Sequence, residues 1–150
     1  MTPAYGGRCQ CGELKYEVVE PPLTCYACHC RDCQSASGSA FSLSMIVPAT
    51  ALRVNSGELQ TLDFSYHAGE RTRHACAQCG TTLWVTSPAQ PELAALKAGT
   101  LDDKALCEPV AHVWYQSRQR WIQANRDAEV FERQPDDMAV LVDLWQRREA

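Results

Sequence analysis

The stretch Cys28-His29-Cys30-Arg31-Asp32-Cys33 places three thiols within six residues. A Cys-x-Cys pair fused to a Cys-x-x-Cys pair turns the backbone tightly and directs its sulfurs into one small volume. Zinc takes thiolate ligands in tetrahedral geometry with Zn–S distances near ~2.3 Å, so it is the expected occupant of such a group. The rest of the chain is therefore expected to be organised around a metal site.

Two further cysteine pairs flank this stretch. Cys9 and Cys11 precede it, Cys76 and Cys79 follow it, and seven of the nine cysteines lie in the three clusters. A glycine follows each flanking pair, which suits the unusual backbone angles of a tight metal knuckle. Pairing Cys9 and Cys11 with Cys76 and Cys79 would give a closed set of four thiolates, which is typical of a structural zinc site.

Length, charge and cysteine usage limit the classes of protein that fit. The 150 residues suit one domain, and the net charge of −4 disfavours nucleic acid as a partner. The segment Met1–Arg8 lacks the apolar region of a secretory signal, and no stretch reaches the ~18 apolar residues of a membrane span. We therefore expect a cytoplasmic protein without a membrane partner, whose closely spaced cysteines bind metal.

Alternating apolar and polar residues predict a mainly β fold of short antiparallel strands joined by zinc knuckles. Strands are expected at 14–18, 41–45, 52–54, 62–66, 83–85 and 110–114. Residues 35–39 are expected to form a loop, and 93–97 are ambiguous between helix and strand. Met138, Leu141, Val142 and Trp145 follow helical spacing, which predicts a C-terminal helix capped by Asp136 or Asp137.

Two kinds of residue near the central cysteines admit alternative interpretations. Cys25 precedes Cys28 by three positions, and its sulfur would close the metal site if it were the fourth ligand; water or a substrate thiol would otherwise take that position. Arg31, Arg71 and Arg73 could hold substrate carboxylates, although each is expected to be an ordinary solvated side chain.

The four histidines are interpreted in a similar way. The ring of His29 is expected to point away from the ion, either as a hydrogen-bond donor to its surroundings or as an acid–base group. His112 alternates with apolar neighbours, which is typical of a core or sheet histidine. His74 is expected to pack locally, and His67 to lie in a loop.

Several spaced motifs run from Tyr5 to Trp121. They are Gly7-x-Cys9-x-Cys11-Gly12, Cys28-His29-Cys30-x-x-Cys33-Gln34, Gly38-Ser39-Ala40-Phe41, Cys76-x-x-Cys79-Gly80-Thr81, the run 98–103 and His112-Val113-Trp114. In this order they resemble the glutathione-dependent formaldehyde-activating (GFA) family, which includes the centromere protein V type. Ala75 is one departure, because the family pattern leads us to expect an aromatic residue there.

The resemblance implies a single GFA-like domain over 1–150, with a core at about 5–121 and an extension at 122–150, in an Mss4-like fold. It implies that Cys9, Cys11, Cys76 and Cys79 hold a structural zinc, and that Cys28, Cys30 and Cys33 form a second, open zinc site with a catalytic role. The implied activity is carbon–sulfur lyase chemistry on a glutathione–formaldehyde adduct, S-hydroxymethylglutathione.

The chemistry of an open three-thiolate zinc agrees with that activity. Three thiolates donate charge and leave the ion a weak activator of water, whereas an incoming thiol is a ligand type that the site already favours. Binding lowers the pKa of the thiol and holds it as a nucleophile or a leaving group. Glutathione is the natural cytosolic thiol, with an aldehyde as the second reactant.

Two other functions compete with this interpretation. A non-catalytic zinc module would hold a fold or bind a partner with both of its metal sites closed. A zinc deaminase is suggested weakly by Cys11-Gly12-Glu13 and the later Cys25-x-x-Cys28, but Thr24 stands where that motif has proline.

Overall fold

The computed structural model describes residues 5–148. This part of the chain is mostly β, with eleven strands, two α-helices and short 3₁₀ turns. The strands are β1 (Tyr5–Arg8), β2 (Lys15–Val18), β3 (Thr24–Cys28), β4 (Ser42–Pro48), β5 (Leu52–Ser56), β6 (Leu59–Tyr66), β7 (Gly69–Cys76), β8 (Thr82–Ser87), β9 (Gln90–Lys97), β10 (Ala111–Val113) and β11 (Glu129–Val130). The helices are α1 (Arg31–Ser37) and α2 (Ala139–Arg147). The predicted mainly β class with a C-terminal helix is confirmed, while the Mss4-like assignment stays a prediction.

The strands form two sheets. The larger one has the order β11-β10-β3-β4-β9-β8-β7-β6, and the smaller one the order β1-β2-β5. Pairing is antiparallel except at one edge, where β10 runs parallel to both β3 and β11. These two parallel pairs differ from the predicted antiparallel arrangement, since β10 reaches β3 through a long connection that alternation cannot reveal.

The main core lies between the sheets. Tyr16 and Val18 of β2, with Leu14 just before that strand, meet Met45 and Leu96 from the large sheet, and all five are 0–1 % exposed. The apolar residues of β2 and β4 therefore point inward, as the alternation predicted.

Tyr16 explains the glycine in β1. A Cβ atom on Gly7 would lie 2.2 Å from the Tyr16 hydroxyl, so only glycine fits against that ring. The hydroxyl itself shares a 2.7 Å hydrogen bond with Thr100 Oγ1.

The large sheet is strongly curled. Four strand spacings separate β3 from β7, which would be roughly 19 Å in a flat sheet. Yet the hairpin between β6 and β7 returns to α1, which follows β3 directly: the backbone N–H of His67 donates to Asp32 Oδ2 at 3.2 Å, and His67 Nδ1 lies 2.8 Å from the same oxygen. One face of the sheet is therefore concave and faces α1.

The C-terminal helix packs on β3. Leu141 and Trp145 are buried, and Thr24 Oγ1 donates to the carbonyl of Leu141 at 2.7 Å. The backbone N–H of Ala139 donates to Asp137 Oδ1 at 2.9 Å, so Asp137 holds the first turn as predicted. No helix within residues 5–148 is long and apolar enough to cross a membrane.

Several elements differ from the prediction. Residues 35–39 were expected to form a loop, but α1 covers 31–37; it is too short to show helical periodicity, and none of its residues is buried. The ambiguous stretch 93–97 is the second half of β9. The alternation analysis also missed β3, which carries Cys25 and Cys28, because its two neighbouring layers bury both of its faces.

Candidate metal centres

The four-cysteine group comprises Cys9, Cys11, Cys76 and Cys79. Its sulfurs lie within 4.8 Å of one another, with Cys9 and Cys11 Sγ 3.5 Å apart and Cys11 and Cys76 Sγ 3.9 Å apart. Tetrahedral zinc with Zn–S bonds near 2.3 Å requires sulfur–sulfur separations of about 3.8 Å. The group therefore has the dimensions of a closed four-thiolate zinc site.

Two similar backbone turns bring these sulfurs together. The N–H of Cys9 donates to the Leu14 carbonyl at 3.0 Å, and the N–H of Cys76 donates to the Thr81 carbonyl at 2.9 Å. Each turn contains a glycine in the left-handed region, Gly12 at φ 83° and Gly80 at φ 78°. One turn follows β1 and the other joins β7 to β8, so the group links the small sheet to the large one.

Hydrogen bonds favour thiolates on Cys9 and Cys79, whereas burial and the neighbouring sulfurs raise the pKa of Cys11 to about 12. The N–H of Leu14 donates to Cys9 Sγ at 3.3 Å. The hydroxyl and backbone N–H of Thr81 lower the pKa of Cys79 to about 5. Since zinc binds thiolates and not thiols, both contacts prepare the sulfurs for metal.

The three-cysteine group comprises Cys28, Cys30 and Cys33, whose sulfurs also lie within 4.8 Å of one another. Cys28 ends β3, Cys30 is the N-cap of α1, and Cys33 lies in its first turn. Cys30 Sγ accepts a 3.3 Å hydrogen bond from the N–H of Cys33, the contact that an N-cap serine would otherwise make. The strand end and the helix start thus aim three sulfurs at one point.

The closeness of these sulfurs favours a thiolate on Cys30. Thiol hydrogen bonds from Cys28 and Cys33 hold the pKa of Cys30 far below its ordinary range. The same contacts raise the pKa of Cys28. Three sulfurs with one charge already present are suited to a soft cation such as zinc.

Cys25 lies apart from the three-cysteine group. It is separated from Cys28 by three strand positions, so the two side chains point to opposite faces of β3. Cys25 is fully buried in the main core, and its sulfur approaches the carbonyl of Cys107 at 3.8 Å. Among residues 5–148, the group of potential ligands at this point contains three cysteines and no fourth cysteine, histidine or carboxylate. Cys25 is therefore not placed to close the site.

His29 points away from the sulfurs into a buried histidine chain. Its Nε2 lies 2.8 Å from His112 Nδ1, and His112 Nε2 lies 2.7 Å from Asn125 Oδ1. Asn125 Nδ2 donates to the carbonyl of Pro109 at 2.9 Å, which fixes the amide orientation and makes Oδ1 the acceptor. Burial lowers the pKa of His29 to about 4, so its ring is neutral. The predicted orientation of His29 and the predicted core position of His112 are confirmed.

Trp114 packs against the tip of the β6–β7 hairpin, which carries His67. It adopts φ 54° and ψ 37°, a left-handed conformation that costs a bulky residue roughly 1–2 kcal/mol. This geometry brings the indole ring to 5.5 Å from the His67 ring in an edge-on contact. The hairpin tip is thereby held between Trp114 and Asp32, directly over α1.

Comparison with known proteins places these groups in a family. The family model described as glutathione-dependent formaldehyde-activating enzyme matches residues 4–117, a span that includes all seven clustered cysteines. This chain belongs to the GFA family. The resemblance stated from the motifs is therefore confirmed.

Relatives and a solved structure agree with this assignment. A Halomonas elongata protein, provisionally named a glutathione-dependent formaldehyde-activating enzyme, is 29 % identical over 125 residues, covering 78 % of each chain. An Emericella nidulans protein with the same provisional name is 34 % identical over 85 residues, 53 % of this chain and 42 % of that protein. A Rhodobacter sphaeroides crystal structure matches with a TM-score of 0.53 at 21 % identity, covering 69 % of this GFA chain and 96 % of its own, which supports the fold.

Sequence reasoning found all seven clustered cysteines of this GFA protein but missed part of their surroundings. Arg71 and Arg73 are half-buried, not fully solvated, and they stack on aromatic rings. Asn125 was not singled out, because a lone asparagine in a polar stretch gives no signal of the histidine chain that it ends.

Proposed function

We propose that this protein catalyses the making and breaking of a carbon–sulfur bond between glutathione and formaldehyde, as a zinc-dependent lyase of the GFA type. The observation that carries the proposal is the three-cysteine group, whose sulfurs converge without a fourth ligand from residues 5–148. Three protein ligands with one exchangeable position are typical of catalytic zinc. The names of the two relatives, which refer to glutathione and formaldehyde, support the choice of reactants.

The donor set decides which chemistry fits. A zinc ion held by Cys28, Cys30 and Cys33 would supply a position at which a substrate thiol loses its proton and becomes a nucleophile. In the condensation, the sulfur of glutathione bonds to the carbonyl carbon of formaldehyde, the carbon–oxygen π bond opens, and the thiol proton ends on the new hydroxyl. The reverse reaction breaks the same bond and returns the aldehyde.

The surrounding residues keep this site in place. Gln34 Nε2 donates to the carbonyls of His29 and Ser117 at 2.8 and 3.0 Å, so α1 is tied to the β10 side of the fold. The His67–Asp32 contact ties the opposite side of α1 to the hairpin tip. These contacts hold α1, which contributes Cys33 and has Cys30 as its N-cap, in place from both sides.

The four-cysteine group has a different proposed role. Four thiolates would fill the tetrahedral coordination of a zinc ion, so a zinc bound there would have no free position for substrate. Because it links two sheets that share one core, we assign it to stability, and we treat residues 1–150 as one domain. The reaction needs reduced thiols and free glutathione, which are found in the cytoplasm, and we propose that location.

Nuclear magnetic resonance with ¹³C-formaldehyde tests the activity. Exchange between free formaldehyde and S-hydroxymethylglutathione is measured with and without zinc-loaded protein, since the uncatalysed reaction also proceeds. The wild-type protein should accelerate exchange. Cys30→Ser should return the rate to the uncatalysed value, whereas Cys107→Ser, which changes a cysteine outside both groups, should keep the acceleration.

Metal content and thiol binding separate the enzyme from a structural module. Elemental analysis should give two zinc ions per chain, and calorimetry should detect glutathione binding that requires the three-cysteine group. A protein that holds two zinc ions, binds no thiol and accelerates no exchange would be a non-catalytic zinc module.

A further inference from the structure

The concave face of the large sheet carries both the three-cysteine group and a row of cations. Directly opposed residues of antiparallel strands share a face, as do residues two apart on one strand. Cys28 is opposed to Ser42, and Ser44, two residues further along β4, is opposed to Lys97 on β9. Lys97 therefore lies on the same face as Cys28, two strands away.

The same register extends this face to β7. Ala95, two residues before Lys97, is opposed to Val85, and Val85 is opposed to Arg73. Arg71 follows on the same side of β7. The sheet therefore aligns Lys97, Arg73 and Arg71, which we call the cation row, on the face that begins at Cys28.

Curling of the sheet brings the cation row towards the sulfurs. Burial lowers the pKa of Lys97 from its ordinary value; Cys33 and Cys28 are close enough to counteract this effect, and Arg73 is close enough to add to it. Arg71 stacks on the ring of Tyr66. Burial raises the pKa of Tyr66, and Cys33 and Cys28 are close enough to raise it further. The row and the three-cysteine group thus share one electrostatic environment.

No carboxylate neutralises the cation row within residues 5–148. The ion pairs in this part of the chain join His67 to Asp32 and Arg147 to Asp143. The row is instead held by neutral groups: Arg71 lies 4.9 Å from the Tyr66 ring centroid, Arg73 lies 4.6 Å from that of Phe64, and Lys97 Nζ donates to Ser42 Oγ at 2.8 Å. The concave face therefore carries three half-buried cations that no carboxylate of residues 5–148 neutralises, and the nearby sulfurs of the three-cysteine group are their anionic neighbours.

The other surface beside α1 has no such charge. An open depression of about 520 Å³ is lined by Gln34, Ser35, Gly38, Ser39, Ala40, Gln119 and Trp121, which are all uncharged. A ligand with negative charge would gain more from the concave face, where guanidinium groups can bind a carboxylate with two parallel hydrogen bonds.

We propose that Arg73, Arg71 and Lys97 form an anion subsite that holds a carboxylate of the substrate while its thiol reaches the three-cysteine group. The proposal deepens the proposed function and rests on it for the position of the thiol. It assigns the substrate to the carboxylate-bearing thiols, of which glutathione is one, and excludes neutral and cationic thiols as good substrates. Arg73, between the other two cations, is expected to contribute most.

Calorimetry with matched ligands tests the subsite on the zinc-loaded wild-type protein. Glutathione carries both thiol and carboxylates, glutathione diethyl ester keeps the thiol but masks the carboxylates, and S-methylglutathione keeps the carboxylates but blocks the thiol. Glutathione should bind roughly tenfold or more tightly than the ester, the range that a charged hydrogen bond supplies. S-methylglutathione should bind weakly, and added salt should weaken it further.

Three variants assign the effect to residues. Arg73→Gln should weaken glutathione roughly tenfold or more while it leaves the ester within about twofold. Arg73→Lys should restore part of the loss. Arg53→Gln is the matched control, because Arg53 is an exposed arginine on β5 of the other sheet, and it should bind all three ligands like the wild type. Circular dichroism and zinc content show that each variant is folded.

The outcomes separate this proposal from the proposed function. Equal affinity for glutathione and its ester in the wild type would overturn the subsite but leave the thiol chemistry intact. If S-methylglutathione binds as tightly as glutathione and Arg73→Gln abolishes that binding, the subsite is supported and the proposed thiol site is overturned. Absence of binding by all three ligands would overturn both.

Discussion

The rings of His29 and His112 stack with centroids 5.1 Å apart and share a hydrogen bond of 2.8 Å. Because Asn125 Oδ1 can only accept, a neutral His112 donates from Nε2 and accepts at Nδ1. His29 must then donate from Nε2. Its other nitrogen, Nδ1, is buried and has no hydrogen-bond partner among residues 5–148. One asparagine thus sets the proton positions of two histidines, the first of which lies between two cysteines of the metal group.

Substitution of His112 should show the importance of this chain. His112→Phe leaves the His29 Nε2–H buried without an acceptor, which costs about 1–3 kcal/mol of unfolding free energy. His112→Asn can place an amide oxygen near the former Nδ1 and should lose less. Urea unfolding of the zinc-loaded proteins measures both. Equal losses for the two variants would show that ring packing, and not the hydrogen bond, is what matters.

The two cysteine groups should respond differently to loss of one ligand. Cys11→Ser opens the group that links the two sheets, so it should lower the melting temperature of the whole protein and release one zinc. Cys30→Ser should release the other zinc while the fold largely survives, since Cys30 is the N-cap of the short helix α1 and lies outside the main core. Elemental analysis and thermal unfolding would be run on both variants.

Reversed outcomes would exchange the roles of the groups. If Cys11→Ser melts like the wild type, the four-cysteine group is not the structural one. If Cys30→Ser unfolds globally, the three-cysteine group belongs with the structural sites.

Local patterns in the sequence account for much of this fold, and long-range geometry accounts for the rest. Alternation located β2 and β4, because each has apolar residues on the face that packs against the other sheet and polar residues such as Ser42 and Ser44 on the opposite face. It could not locate β3, whose residues are buried on both sides, nor the parallel edge formed with β10. The cysteine spacing grouped seven candidate ligands, but the contact of His67 with Asp32 depends on sheet curling, which no local pattern encodes.

Cys25 gives a direct test of the open position. Its sulfur lies on the core face of β3, so Cys25→Ala should remove packing worth about 1 kcal/mol and leave the zinc count unchanged. Absorption spectroscopy of the cobalt-substituted protein is a second measurement, because thiolate-to-cobalt absorption increases with the number of sulfur ligands. A decrease in that absorption in Cys25→Ala would show that Cys25 closes the site.

Tyr16 should make stability depend on alkaline pH. Burial raises its pKa to about 12, whereas the unfolded chain titrates near the ordinary value of 10. The folded state therefore keeps its proton longer, and stability that is fully present below pH 10 is lost as the pH rises towards 12, by at most about 2–3 kcal/mol.

Tyr16→Phe isolates this contribution. The variant loses the hydrogen bond to Thr100 at every pH, which is a constant offset, but it should lose less stability than the wild type between pH 9.5 and 11.5. Denaturant unfolding across that range measures the difference. Parallel curves would show that Tyr16 titrates normally in the folded protein.

The C-terminal helix should be an integral part of the domain. Leu141 is fully buried against Val113 and its neighbours near the three-cysteine group, and its carbonyl accepts from Thr24. Leu141→Ala should therefore cost about 2–5 kcal/mol, the range for a buried leucine. Met138, at 36 % exposure immediately before the first turn of α2, is the matched control, and Met138→Ala should cost well under half as much. Denaturant unfolding compares the two, with zinc content followed in parallel.

Equal small losses of unfolding free energy would mean that α2 contributes little to the stability of the domain. Loss of zinc from Leu141→Ala alone would show that the helix also supports β3, the strand that ends in Cys28.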